Sequence, residues 1–157
     1  YNMHDTVRVN GFTEKTPNIY FEVKTGEVGN ICGEKLSASL VMDAFQAFPE
    51  AMRSRIRHYA LVPVEDEHRY WFCIEPSDTN PVPVDEWTAK IGAMLKEKSV
   101  VYDLYSKQGF LHPGKVVLMR PGWLDSLYAE HRKPGQNTAQ VKLPVIMQPP
   151  PDTKWIA

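Results

Sequence analysis

Cysteine is scarce in this chain. Cys32 and Cys73 stand alone in 157 residues. Two separated cysteines make no disulfide framework, so the chain suits a reducing compartment, the cytoplasm, with both thiols buried as small hydrophobes. An excess of charge is also missing. Lys and Arg number 18 against 19 Asp and Glu, for a formal net charge of −1. That balance leaves no basic footprint for nucleic acid. No apolar run nears the about 20 residues that cross a bilayer, so no membrane partner is expected. Metal-ligand spacing is absent as well. The five histidines, His4, His58, His68, His112 and His131, are scattered, and there is no Cys-x-x-Cys, which excludes a zinc site of the usual four convergent ligands. A Gly-x-Ser-x-Gly elbow and a Walker-type phosphate loop are both missing.

What is present is the pattern of one soluble domain, long enough to bury most of its apolar surface. The chain opens at Tyr1 and drops straight into a strand, with Val7 and Val9 alternating against Thr6, Arg8 and Asn10. It reads as cut from a longer protein, its first residues belonging to a site whose other half lies upstream. Residues 6–12 and 18–24 predict a hairpin whose loop carries Thr16-Pro17. A glycine-punctuated stretch follows, then a helix capped by Ser37 with Leu40, Val41, Ala44, Phe45 and Phe48 as its apolar stripe. Residues 56–64 and 69–75 form a second hairpin across the charged turn Glu65-Asp66-Glu67. Prolines from 76 to 83 lead into a helix with Val84, Trp87, Ile91, Met94 and Leu95 on one face. Residues 100–107 continue as a second helix, stopped by Gly109. Residues 115–119 make a short strand, Pro121-Gly122 opens a helix over 123–132, and the proline-rich end from 149 reads as extended. The expected class is α+β: a small mixed, largely antiparallel sheet of two hairpins plus a further strand, flanked by about four helices. Tyr70, Trp71 and Phe72 are consecutive, so they face both sides of the sheet and fill cores.

Three places carry polar residues worth weighing. Gly33-Glu34-Lys35-Leu36-Ser37 is either a plain helix start or a place that offers backbone N–H groups and a charge to a ligand. Lys142 follows a loop containing Gly135. A lysine there is either a solvated cation or one swung onto a phosphate to stabilise developing charge. Asp5, alone before a strand, reads as a turn residue. On residue types and spacing, a non-catalytic α+β ligand-binding or protein-interaction module remains open.

The ordered set of motifs says more. Asp5-Thr6-Val7-Arg8-Val9-Asn10-Gly11-Phe12 resembles the Gly-Asp-x-x-x-x-x-Gly-Phe signature of the Gretchen Hagen acyl acid–amido synthetases, the auxin-responsive-promoter family. Pro17, Glu34-Lys35, Tyr102 and the stretch from Val116 to Leu127 match that family's later elements. The closing Gly-x-x-x-x-Gln-x-Lys-x-Pro is matched by Gly135, Gln140, Lys142 and Pro144. The resemblance implies the adenylate-forming superfamily, with residues 1–12 as the last strand of an N-terminal adenylation domain, 13–148 as a C-terminal lid, 149–157 as a tail, and a hinge near residues 12–15. It implies ATP and magnesium, bound mainly by that other domain of the same chain. A small carboxylic acid would be activated as its adenylate and passed to an amine or amino acid, and this chain alone would be inactive. It assigns Lys142 to the phosphate, Asp5 to the ribose hydroxyls as an acceptor-only carboxylate, and Glu34, Lys35 and Gln140 to shaping the site. Two departures mark a divergent member: His4 stands where the family has glycine, and Val145 where it has arginine.

Overall fold

The computed structural model describes residues 5–24, 27–132, 135, 137, 141–148 and 150–157, with backbone alone at 5, 6 and 21–24. The first element is a hairpin of β1 (Asp5–Thr13) and β2 (Thr16–Lys24), antiparallel and forming a two-stranded sheet of its own. Its turn is tighter than the sequence suggests. Thr13 pairs with Thr16, Glu14 takes the left-handed conformation at φ 56°, and Pro17 lies inside β2 opposite Phe12. A proline is tolerated there because a two-stranded sheet is all edge. The residues expected as a hinge are therefore the tip of this hairpin.

A second small pair joins β3 (Val28–Gly29) to β4 (Leu36–Ser37). Two residues per strand give no periodicity to read, and the sequence predicts neither. Ser37 then caps α1 (Ala38–Gln46) by accepting the Leu40 N–H at 3.2 Å, and Ala38, Val41, Ala44 and Phe45 are buried along the helix. Pro49 begins one further turn, α2 (Glu50–Arg53).

The body is built on a three-stranded sheet. β5 (Ile56–Val64) and β6 (Arg69–Pro76) are antiparallel across a single 3-10 turn at Glu65–Glu67, where His68 at φ 50° completes the reversal. β7 (Lys115–Leu118) lies parallel to β6. A parallel neighbour needs a crossover, supplied here by α3 (Val84–Lys98) and α4 (Val100–Lys107). α5 (Trp123–His131) follows β7.

Both faces of the sheet are covered, so the fold has three layers. Alternation along β6 divides the aromatic run as its period of two requires. Tyr70 and Phe72 enter a core with α1, α3 and α4, through Val41, Phe45, Ile91, Leu95 and Tyr102. Trp71 and Cys73 face a second core with Trp123 and Leu127 of α5. Gly114 sits where no side chain fits: a Cβ would meet Phe72 Cε2 at 2.3 Å.

The end of the chain is not simply extended. Residues Thr153–Trp155 form a 3-10 turn, and Ile156 bridges Met119 in antiparallel fashion. Ala157 N–H donates to the Leu118 carbonyl at 2.9 Å, which fastens the tail to the sheet. Among the described residues no helix is long and apolar enough to cross a membrane.

Candidate functional site

The segment that carries Lys142 is anchored along the free edge of β5. Pro144 holds the residue before it extended and excludes helix. The Val145 carbonyl accepts the Leu61 N–H at 2.8 Å, and Met147 N–H donates to the Leu61 carbonyl at 2.9 Å, which gives the Leu61–Ile146 parallel bridge. Ile146 is buried in the first core, while Leu143 and Met147 pack on the second. A third anchor comes from far away in the sequence. The Glu27 carboxylate accepts the N–H of Val145 at 2.9 Å and of Ile146 at 3.4 Å. Lys142 itself is exposed. It thus stands at the start of a stiff, three-point mount rather than on a slack loop.

Asp5 opens β1, its backbone opposite Lys24; its side chain lies outside the described residues, as does Gln140. Lys35 is exposed and left-handed, at φ 48°. Glu34 turns the other way. It is buried, and its carboxylate accepts the N–H of Ile31 at 2.7 Å, the N–H of Cys32 at 2.9 Å and the hydroxyl of Tyr70. Burial alone would raise its pKa. The Tyr70 hydroxyl and the loop N–H groups outweigh burial and hold it below the ordinary carboxylate value. The loop's donors therefore point inward at Glu34. Residues 31–34 close on themselves and lock β3 and β4 against β6.

The thiols are inert. Burial, with Glu34 beside it, pushes Cys32 up to about 11, and burial pushes Cys73 to about 12. Neither supplies a thiolate at neutral pH. Both are free cysteines; Cys73 is buried as expected from the sequence, whereas Cys32 is only partly buried.

Two further polar groups escape a reading of the sequence. Glu75 is completely buried. Its carboxylate accepts the N–H of Gly122 at 3.0 Å, the N–H of Leu124 at 2.6 Å and Arg57 Nη1 at 2.7 Å. Gly122 precedes α5 and has no side chain to cap it, so a carboxylate from the neighbouring strand does that work, matched to the positive end of the helix. Arg57 continues outward to Asp125 at 3.0 Å. His58 packs on Trp123 with ring centroids 5.1 Å apart, and its buried Nε2 has no hydrogen-bond partner among the described residues. Burial, against the opposing pull of Glu75, lowers its pKa to about 4, so the ring is neutral. Between α5 and the chain's end a groove of about 350 Å³ opens, walled by Trp123, Leu127, His131, Ile146 and Trp155.

These features define the class: an α+β domain whose covered sheet carries an exposed lysine on a pinned edge segment. That lysine is exposed at the surface. Residues 36–151 match the model of the GH3 family C-terminal domain. The chain therefore belongs to the GH3 family, through that domain. Solved structures agree on the fold. The chain is similar to a GH3.15 acyl acid amido synthetase, with TM-score 0.73 and 16% identity over 93% of this chain and 28% of the other. It is similar also to AtGH3.15 acyl acid amido synthetase in complex with 2,4-DB, with TM-score 0.65 and 16% identity over 92% and 27%. The chain thus spans little more than a quarter of the proteins it resembles. No curated protein matches its sequence.

Proposed function

We propose that this domain is the lid of an ATP-dependent acyl acid–amido synthetase, closing over a larger N-terminal adenylation domain of the same polypeptide. The observation that carries the reading is the family match across residues 36–151, which contains Lys142. The reaction has two steps. A small carboxylic acid attacks the α-phosphate of ATP; the new O–P bond forms as the bond to pyrophosphate breaks. An amine, such as that of an amino acid, then attacks the acyl carbon, AMP leaves, and the amine proton passes to solvent. ATP supplies the activation, with magnesium neutralising its phosphates. Among the described residues no three His, Cys, Asp or Glu side chains converge on a metal site.

The first step drives a carboxylate against a phosphate, so the protein must add positive charge at that phosphorus. Lys142 suits the task because it is exposed while its backbone neighbours are fixed. Asp5 would accept the ribose hydroxyls. Glu34 shapes the site at one remove by fixing the loop that precedes α1, and Lys35 and Gln140 are assigned to shaping the site with it. The hairpin offers a seat for that domain: Val7, Val9 and Ile19 are half exposed, and Phe12 at its tip is 67% exposed. Residues 1–12 would belong with the larger domain, residues 13–148 with the lid, and 149–157 with the docked tail. The free thiols suit a reducing cytoplasm.

The test is exchange of labelled pyrophosphate into ATP, driven by a carboxylic acid. The intact enzyme should show it, and these 157 residues alone should not. Exchange by the 157 residues alone overturns the reading.

A further inference from the structure

We propose that Glu27 is a positioning residue for Lys142, a latch between the crossing from the hairpin and the segment that delivers the lysine. The proposal rests on the role given to Lys142 above. Glu27 is the first described residue after β2 and directly precedes β3. Its backbone carbonyl accepts the N–H of Ala38, the first residue of α1, at 3.1 Å. Its carboxylate accepts the N–H groups of Val145 and Ile146. One residue thus ties the crossing, the first helix and the lysine segment together.

The arrangement does more than hold an edge. Leu61 already accepts and donates one hydrogen bond each with this segment, which fixes its register on β5. Bonds in that ladder lie in the sheet and leave the strand free to tilt out of it. Glu27 adds a charged acceptor from outside the sheet, and hydrogen bonds to an ionised group are the stronger kind. Pro144 stiffens the two residues between the latch and Lys142. A displacement at Glu27 is therefore passed to the lysine rather than absorbed between them.

The experiment is a double-mutant cycle in the intact enzyme, read by pyrophosphate exchange. Glu27→Ala should lower kcat about tenfold while the KM for ATP stays within about twofold, because misplacing a reacting group costs rate rather than ground-state binding. On a Lys142→Ala background, Glu27→Ala should cost nothing more. Glu27→Gln keeps one acceptor oxygen and should lose less, about threefold. Should Glu27→Ala fail to fold, the same cycle with Glu27→Gln decides. Equal losses with and without Lys142, or an unchanged kcat in both Glu27 variants, overturn the latch alone. A silent Lys142→Ala overturns the latch together with the role of the lysine.

Discussion

Replacing Glu75 with alanine should be among the most damaging single changes in this domain. Its buried carboxylate takes two backbone N–H groups at the start of α5 and one arginine. Hydrogen bonds to a charged group contribute about 1.5–3 kcal/mol each. The three share one carboxylate and do not add. Breaking a buried ion pair from one side costs about 3–5 kcal/mol, but Arg57 is 39% exposed and retains Asp125, so that share falls well short of its maximum. A loss of about 3 kcal/mol follows, on the scale of the about 0.5–2 kcal/mol of a lost helix cap with the orphaned N–H groups added. Against a typical total of about 5–15 kcal/mol this is large. Urea unfolding followed by the fluorescence of the tryptophans, with Trp123 packed beside the site, measures it. The midpoint should drop with the slope unchanged. Glu75→Gln keeps the shape and one acceptor, and should cost about 1–2 kcal/mol. Asp125→Ala removes only the exposed end of the network and should cost under about 1 kcal/mol. If Glu75→Ala is no worse than Asp125→Ala, the carboxylate is not what seats α5.

Three further outcomes follow from the same contacts. Gly114→Ala should destabilise by about 1–3 kcal/mol through overpacking, since its Cβ would lie 2.3 Å from a ring carbon of the buried Phe72; an unchanged urea midpoint would contradict this. Tyr70→Phe should cost about 1–2 kcal/mol at neutral pH by removing a donor to ionised Glu34. Because the folded pKa of Glu34 is held below 4.5, that difference should shrink as pH falls through it, and a pH-independent difference would refute the assignment. His58 works in a higher window. Its folded pKa is about 4 against an ordinary 6.5, so between those values the unfolded chain binds the extra proton and stability falls as pH falls. The loss should reach about 1–3 kcal/mol, and His58→Phe should flatten stability between pH 6.5 and 4.

Much of the fold was legible where the chain carries its own periodicity. Residues 56–64 became β5 with the bounds the alternation predicts, and the charged turn behind it closed a hairpin. Val100–Lys107 likewise formed the helix that Ser99 caps and Gly109 ends. The sequence did not reveal β3 and β4, because two residues cannot show a period. Nor did it show where the proline-rich end goes, since its docking depends on partners at Leu118 and Met119.

The site divides along the same line. Lys142 was singled out from its neighbours in the chain, and the structure places it on an exposed, well-anchored segment. Glu27 and Glu75 were invisible. Each looks like an ordinary turn or strand-end carboxylate, and each meets its partners only through the fold, Glu27 across 118 positions to Val145. Glu34 shows the opposite limit. Its place between a glycine and a lysine before a helix suggests an outward charge, yet burial behind Tyr70 turns it into a loop clasp. Residue order locates polar groups, and tertiary packing decides which way they face.

If Lys142 brings positive charge to the phosphate during adenylation, removing its ammonium must slow that step and leave ATP binding intact. The most direct measurement compares Lys142→Ala with the unaltered intact enzyme, reading ATP affinity by calorimetry and adenylation by pyrophosphate exchange. Exchange should slow about 100- to 1000-fold, the usual effect of removing one transition-state donor, with ATP affinity within about twofold. Exchange at an unaltered rate in Lys142→Ala would contradict that role.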